Sequence, residues 1–79
     1  PTLTQELLAD DYFDGDETQA RFQEAIASLP DVQRTVFNLR YFDEMKYEEI
    51  SVILSTSVGA LKASYHLAVK KIRKIMDAE

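Results

Sequence analysis

The sequence contains no cysteine, and it has only two glycines and two prolines in 79 residues. Without cysteine there is no disulfide framework, no thiolate nucleophile and no cysteine-based zinc site, which suits a reducing compartment. No apolar run approaches the roughly eighteen residues that a membrane span needs, and the acidic amino end lacks the basic start of a signal peptide. We therefore expect a cytoplasmic protein. The chain opens at Pro1 without a methionine, which suggests a piece of a longer protein.

The composition favours an all-α fold. Hydrophobic residues make up 46% of the chain, and no stretch alternates polar and apolar residues as a half-buried strand would. A chain of this length buries only about 60% of its unfolded surface, so its core must be modest. We expect one four-helix domain at residues 17–79, preceded by an acidic linker at residues 1–16.

Charge is spread unevenly along the chain. The formal net charge is −5, but residues 1–29 carry seven acids and one base, a balance of −6. Residues 30–79 carry eight bases and seven acids, a balance of +1. The acidity therefore belongs to the amino-terminal part and does not argue against nucleic-acid binding by the remainder.

Residues 47–74 have the pattern of a helix-turn-helix. The first helix has apolar residues at three- and four-residue spacing, at Tyr47, Ile50, Ile53 and Leu54. Ser55-Thr56-Ser57 then breaks the pattern, which predicts a tight turn. Ser57 is a good N-cap for the next helix, whereas Ser55 stands where a left-handed conformation would suit glycine better.

The second helix of this motif is long and has two different faces. Its predicted apolar face consists of Val58, Leu61, Tyr65, Ala68, Ile72 and Ile75. No acidic residue occurs between Ile50 and Met76, while five basic residues lie on this helix with His66 among them: Lys62, Lys70, Lys71, Arg73 and Lys74. The only positive field of an acidic chain is thus concentrated on one helix. A solvated lysine-rich face without a ligand is the alternative interpretation.

Two shorter helices are predicted before this motif. Asp16 and Gln19 have the spacing of a capping box, and the helix that follows should bury Phe22, Ala25, Ile26 and Leu29. Pro30 ends that helix and can serve as the first residue of the next. The next helix, from Pro30 to about Phe42, is predicted to bury Val32, Val36 and Leu39, with Phe37 and Tyr41 on a flank.

Arg40 lies beside this apolar stripe and needs a partner if it is even partly buried. Glu48 or Glu49 on the following helix is the predicted partner, because a guanidinium and a carboxylate match in geometry. We favour this structural ion pair over a contact of Arg40 with DNA.

Several of these segments together resemble region 4 of the sigma-70 family of transcription factors, specifically its extracytoplasmic-function group. The resemblance covers about Leu29 to Ile75 and is carried by Leu29-Pro30, Val36-Phe37-Asn38-Leu39-Arg40-Tyr41, Tyr47-Glu48-Glu49-Ile50 and Ser57-Val58-Gly59-Ala60-Leu61-Lys62. It implies an all-α domain that binds the minus-35 promoter element with its helix-turn-helix. It also implies two protein partners, the beta flap of the RNA polymerase core and an anti-sigma factor. In this family an acidic linker precedes region 4 along the path of RNA, and residues 1–16 are similar in sign and position. A solubilising acidic tail is the alternative for that stretch.

The candidate DNA-binding residues lie mainly on the long helix. A recognition helix enters the major groove with its amino end first, so its early residues reach bases and its later basic residues meet phosphates. The candidates are Lys46, Tyr47, Ser57, Gly59, Ala60, Lys62, Ala63, Ser64, His66, Leu67, Lys70, Lys71 and Lys74. Lys62 and His66 match the family pattern. Many relatives carry arginine where Ser64, Leu67 and Val69 stand here, which weakens the case for guanine-specific contacts.

Other functions receive less support from the sequence. His66 is the only histidine and has no carboxylate on its own helix face, so neither a metal site nor an acid-base pair is expected and no cofactor is implied. A response-regulator effector domain has a similar motif but usually dimerises through its last helix, whereas region 4 should be monomeric. A protein-interaction module of the same fold, without DNA binding, is the second alternative.

Overall fold

A computed structural model describes residues 16–78 of the chain and contains four α-helices and no strand within that range. The helices are α1 (Asp16–Ala27), α2 (Asp31–Tyr41), α3 (Tyr47–Leu54) and α4 (Val58–Asp77). This confirms the all-α prediction. The predicted linker at residues 1–16 lies almost entirely outside the described residues, as does the side chain of the predicted cap Asp16.

Pro30 separates α1 from α2, although not in the way predicted. It is the N-cap of α2 and not its first helical residue, with an extended backbone (φ −56°, ψ 151°). Its carbonyl oxygen accepts a hydrogen bond of 2.9 Å from the Arg34 N–H. Proline suits this position because its fixed φ is compatible with the start of a helix and its missing donor is not needed there.

The turn between α3 and α4 has the predicted geometry. Ser55 takes the left-handed conformation (φ 52°, ψ 44°) that ends α3. Ser57 is the N-cap of α4, and its hydroxyl accepts a hydrogen bond of 3.2 Å from the Ala60 N–H. The two helices meet at 104°, within the range of about 90–120° that is typical of a helix-turn-helix.

α4 is the helix around which the core forms. Thirteen hydrophobic side chains are buried among the described residues, and six of them belong to α4: Leu61, Tyr65, Ala68, Val69, Ile72 and Met76. The predicted apolar face was wrong at its end, because Ile75 is 38% exposed and Met76 is buried in its place. It was also wrong to leave Val69 out. Since α1, α2 and α3 all pack against α4, the buried arc is wider than one neighbouring helix would need.

Phe37 lies at the centre of an aromatic cluster and not on a flank as predicted. Its side chain is fully buried, and its ring stacks on those of Tyr41 and Tyr65 at centroid distances of 5.0 and 5.5 Å. Phe22 from α1 completes the cluster at 6.3 Å from Phe37. Burial and the neighbouring Tyr65 raise the pKa of Tyr41. This cluster joins α1, α2 and α4.

The other apolar predictions had mixed outcomes. The α1 stripe is confirmed, since Phe22, Ala25, Ile26 and Leu29 are all buried. On α2, Val36 is buried and Leu39 packs against the core, but Val32 is 64% exposed. On α3, Ile50 is buried while Ile53 is 59% exposed. This helix of eight residues packs against α2 and α4, and Tyr47 and Leu54 accompany Ile50 at the edge of the core.

Within residues 16–78, no single helix is long and apolar enough to cross a membrane. The bent pair formed by α3 and α4 reaches that length and composition only when its two helices are taken together.

Candidate nucleic-acid interface

None of the predicted DNA-binding side chains is buried. Tyr47 and Ser64 are partly covered, and Ser64 lies on the flank of α4. The exposed ones are Lys46, Ser57, Gly59, Ala60, Lys62, Ala63, His66, Leu67, Lys70, Lys71 and Lys74. The structure therefore leaves all of these positions accessible to a ligand.

The exposed face of α4 changes character along the helix. Its first turns present the small residues Gly59, Ala60 and Ala63, with the exposed Lys62 and His66 beside them, and Leu67 follows with 49% of its surface exposed. Lysines occupy the last turns. At about 1.5 Å per residue, this face extends about 21 Å from Ala60 to Lys74. A narrow amino-terminal half followed by a cationic carboxyl-terminal half fits a helix that enters a groove and then leaves it across the phosphates.

Gly59 exposes backbone at the start of this face. A Cβ atom added there would meet no atom within 4 Å, so tight packing against a neighbouring helix does not explain the glycine. Alanine would favour the helix by up to about 1 kcal/mol. The position is therefore free for a close approach by a molecule outside the domain.

The ring of Tyr47, at the start of α3, lies close to two cationic side chains. The Arg40 guanidinium lies 4.7 Å from the centroid of its ring, and the Lys62 ammonium of α4 lies 5.8 Å away. Both distances are within the range of cation–π attraction. The exposed Lys46 precedes Tyr47 in the chain and the exposed Glu48 and Glu49 follow it, so the charges around this ring are mixed.

Arg40 does not form the predicted ion pair. Its Nη1 donates a hydrogen bond of 2.9 Å to the Met45 carbonyl oxygen, while the Glu49 carboxylate accepts one of 3.0 Å from the Lys46 N–H. The loop between α2 and α3, where Glu44 has a positive φ of 51°, brings a carbonyl to the guanidinium before any carboxylate. Among residues 16–78 the salt bridge that forms joins Arg34 and Asp31.

This geometry predicts that Arg40 and Glu49 act independently on stability. Arg40→Ala should cost about 2 kcal/mol, since it removes a charge-assisted hydrogen bond and a cation–π contact. Glu49→Ala should cost about 1 kcal/mol through the lost cap. In urea melts the losses of the double variant should add to within about 0.5 kcal/mol.

Glu48→Ala is the control for that experiment. Glu48 is exposed and should change the free energy of unfolding by less than about 0.5 kcal/mol. A coupling energy above about 1 kcal/mol between Arg40 and Glu49 would support the predicted ion pair and contradict the observed arrangement.

The cations of the α4 face are available for an external anion. Within the described part of the chain, no carboxylate lies within salt-bridge distance of Lys70, Lys71 or Lys74. The same part holds no cluster of three or more metal-ligating side chains. The exposed lysines of this surface can attract an anion electrostatically.

Sequence reasoning missed one residue next to this face. Gln33 of α2 lies beside the lysines of α4, and its side-chain Oε1 is buried without a hydrogen-bond partner in the described structure. No periodicity or motif marks a glutamine of this kind, because its position depends on how α2 crosses α4.

Comparison with protein families identifies the class to which this chain belongs. Residues 19–72 match the family model described as Sigma-70, region 4. That range covers α2, α3, the turn and most of α1 and α4. The chain belongs to the sigma-70 family through this region.

Curated relatives agree with that assignment. The chain is 35% identical over 78 residues to the ECF RNA polymerase sigma factor SigW of Bacillus subtilis, which covers 92% of this chain and 42% of the relative. It is 32% identical over 76 residues to the ECF RNA polymerase sigma factor SigK of Mycobacterium ulcerans, which covers 96% of this chain and 40% of the relative. The chain thus spans about two fifths of the length of these relatives. No solved structure matches it significantly.

Proposed function

We propose that this domain takes part in transcription initiation by holding the minus-35 promoter element in the major groove, with no catalysis of its own. The observation that carries the proposal is the exposed face of α4, where small residues are followed by lysines that no carboxylate in residues 16–78 neutralises. The membership in sigma-70 region 4 supports it and favours it over a response-regulator effector domain.

The proposed contacts divide into two kinds. Ala60 and Ala63 allow the helix to approach the base edges closely, where a methyl group can touch thymine and the Ser64 hydroxyl can bond to a base. Lys70, Lys71 and Lys74 meet phosphates where the helix leaves the groove. The cations around Tyr47 would contact the phosphates on the other side of the groove, because the first helix of such a motif crosses the DNA backbone.

The proposed protein partners are the RNA polymerase core, through its beta flap, and an anti-sigma factor. Exposed apolar side chains on α2 and α3 support a protein contact: Val32 is 64% exposed, Val52 81% and Ile53 59%. The same function implies a monomeric, cytoplasmic protein. A protein-interaction module without DNA binding is the remaining alternative, favoured by the same exposed apolar side chains.

Salt dependence tests the phosphate contacts. If three lysines meet phosphates, the logarithm of affinity for a minus-35 duplex should fall against log salt with a slope of about −2.7. Lys70→Ala should weaken all sequences alike and reduce the slope by about 0.9. Fluorescence anisotropy at several salt concentrations measures both, with a duplex selected from a randomised minus-35 library.

Ser64→Ala is the matched variant on the same helix. It should leave the slope unchanged and alter the preference at one base by up to about 1 kcal/mol. A flat salt response of the unsubstituted chain would exclude the phosphate role. If Ser64→Ala left the preferred minus-35 sequence unchanged, Ser64 would not be a base-contacting residue.

A further inference from the structure

A groove between α2 and the second half of α4 combines features that none of its residues shows alone. It has a volume of about 250 Å³ and is lined by Gln33, Leu67, Lys70, Lys71 and Lys74. Three lysines and the half-exposed side chain of Leu67 therefore line the same groove. Such a combination attracts an anionic ligand that also carries apolar groups.

Gln33 adds a requirement for a hydrogen-bond donor. Its Oε1 is buried and finds no donor within residues 16–78, and a buried acceptor without a partner is unfavourable. A backbone N–H supplied in the groove would satisfy it once the amide turns toward the occupant. Carboxylates, apolar side chains and backbone N–H groups occur together in an acidic peptide.

We propose that the occupant is the acidic arm of this same chain, residues 6–14. The arm reads Glu6-Leu7-Leu8-Ala9-Asp10-Asp11-Tyr12-Phe13-Asp14. It carries four carboxylates and no base, opposite in sign to the three lysines of the groove. Its leucines and aromatic residues provide the apolar groups that Leu67 requires.

The point at which the arm joins the domain allows it to reach the groove. Arg21 of α1 donates a hydrogen bond of 2.9 Å to the Met76 carbonyl oxygen in the last turn of α4. The amino end of α1 is only five residues from Arg21, or about 7.5 Å along the helix. Six extended residues from Asp16 back to Asp10 span up to about 20 Å. The amino end of α1, to which the arm is joined, is therefore close to the lysine-bearing end of α4.

Docking of the arm has a consequence for DNA binding, and this consequence rests on the proposed function. The groove shares Leu67, Lys70, Lys71 and Lys74 with the proposed DNA surface, so the arm and the duplex compete for them. If nine chains in ten are docked, releasing the arm raises the apparent affinity for DNA about tenfold. The arm is then an internal competitor that screens the domain from weak, non-specific DNA.

Nuclear magnetic resonance of the 79-residue chain tests the docking without DNA. Asp10→Asn/Asp11→Asn should shift the side-chain amide signals of Gln33 and the backbone signals of Leu67 and Lys70 at low salt. The two spectra should converge at high salt, where exposed charges are screened. The control is Glu24→Gln/Asp43→Asn, which changes the net charge equally at two exposed positions and should leave the groove signals in place.

Three outcomes would overturn the proposal. The arm variant could leave the groove signals unmoved, the control could move them as much, or the shifts could depend on protein concentration, which would assign the contact to a second copy. The DNA titration separates this proposal from the proposed function. Groove shifts without DNA binding would uphold docking alone, while DNA binding without groove shifts would uphold the promoter role alone.

Discussion

Replacing Ala63 with glutamate should weaken binding to minus-35 DNA by at least about 100-fold while leaving the domain folded. Ala63 is exposed in the middle of the α4 face, one turn before Leu67. A carboxylate there would oppose the phosphates at close range, and like-charge contacts in an interface cost several kcal/mol, where each 1.4 kcal/mol is about tenfold. The loss should appear in anisotropy titrations at a fixed salt concentration.

Ala20→Glu provides the matched control. It makes the same chemical change at an exposed position of α1, so it alters net charge and helix propensity equally. We expect less than about a threefold change in DNA affinity, and less than about 0.5 kcal/mol in unfolding free energy for either variant. Equal weakening by both variants would mean that net charge alone drives DNA binding, and the assignment of the α4 face would fail.

Phe37→Ala should destabilise the domain by about 3–5 kcal/mol, the cost typical of removing a buried phenylalanine. Phe37 is fully buried and stacks on Tyr41 and Tyr65, and such ring pairs contribute about 0.5–1.5 kcal/mol beyond their buried area. At about 0.05–0.15 kcal/mol per residue, a chain of this size has roughly 4–12 kcal/mol in total. The variant should therefore lose at least about a quarter of its unfolding free energy, measured in urea melts followed by circular dichroism.

Phe42→Ala is the control for Phe37→Ala, because it removes the same type of side chain from a more exposed position. Phe42 contacts the same cluster but is 48% exposed, so its loss should be about 1 kcal/mol. If both variants lost equal stability, the core would not be centred on Phe37.

The sequence predicted the four helices well because their boundaries depend on local chemistry. Ser57 could be identified as an N-cap from its hydroxyl and its position after a break in the apolar pattern. Ser55 could be placed in a left-handed turn by its position alone. Both features are confirmed by the backbone angles and by the hydrogen bond to Ala60.

The composition of the core was less predictable because it depends on how many helices surround α4. Periodicity gives the centre of an apolar stripe but not its width. Val69 lies 100° around the helix from Ala68 and would be exposed beside a single neighbour, yet it is buried. Phe37 and Val32 exchanged their predicted roles for the same reason, since the crossing of α2 over α4 decides which side of α2 is covered.

In the candidate site, too, local features could be predicted from the sequence and tertiary contacts could not. Exposure of the α4 lysines followed from helical spacing, and the structure agrees. The partner of Arg40 did not follow, because the loop that brings the Met45 carbonyl to it includes Glu44 in a left-handed conformation. Every residue has a backbone carbonyl, so the sequence does not indicate which carbonyl will accept a hydrogen bond from Arg40. A prediction made from side chains alone therefore assigns a carboxylate as its partner.

If α4 binds the promoter as proposed, its double role couples DNA binding to the folding equilibrium. This one helix provides six of the thirteen buried side chains and also the whole proposed reading face, so an unfolded chain has no reading face to offer. A duplex that binds only the folded form would shift the equilibrium by mass action, by about 2.7 kcal/mol when its free concentration is 100 times the Kd. Promoter DNA would then act as a stabilising ligand, and variants with marginal cores would recover part of their lost structure on the promoter itself.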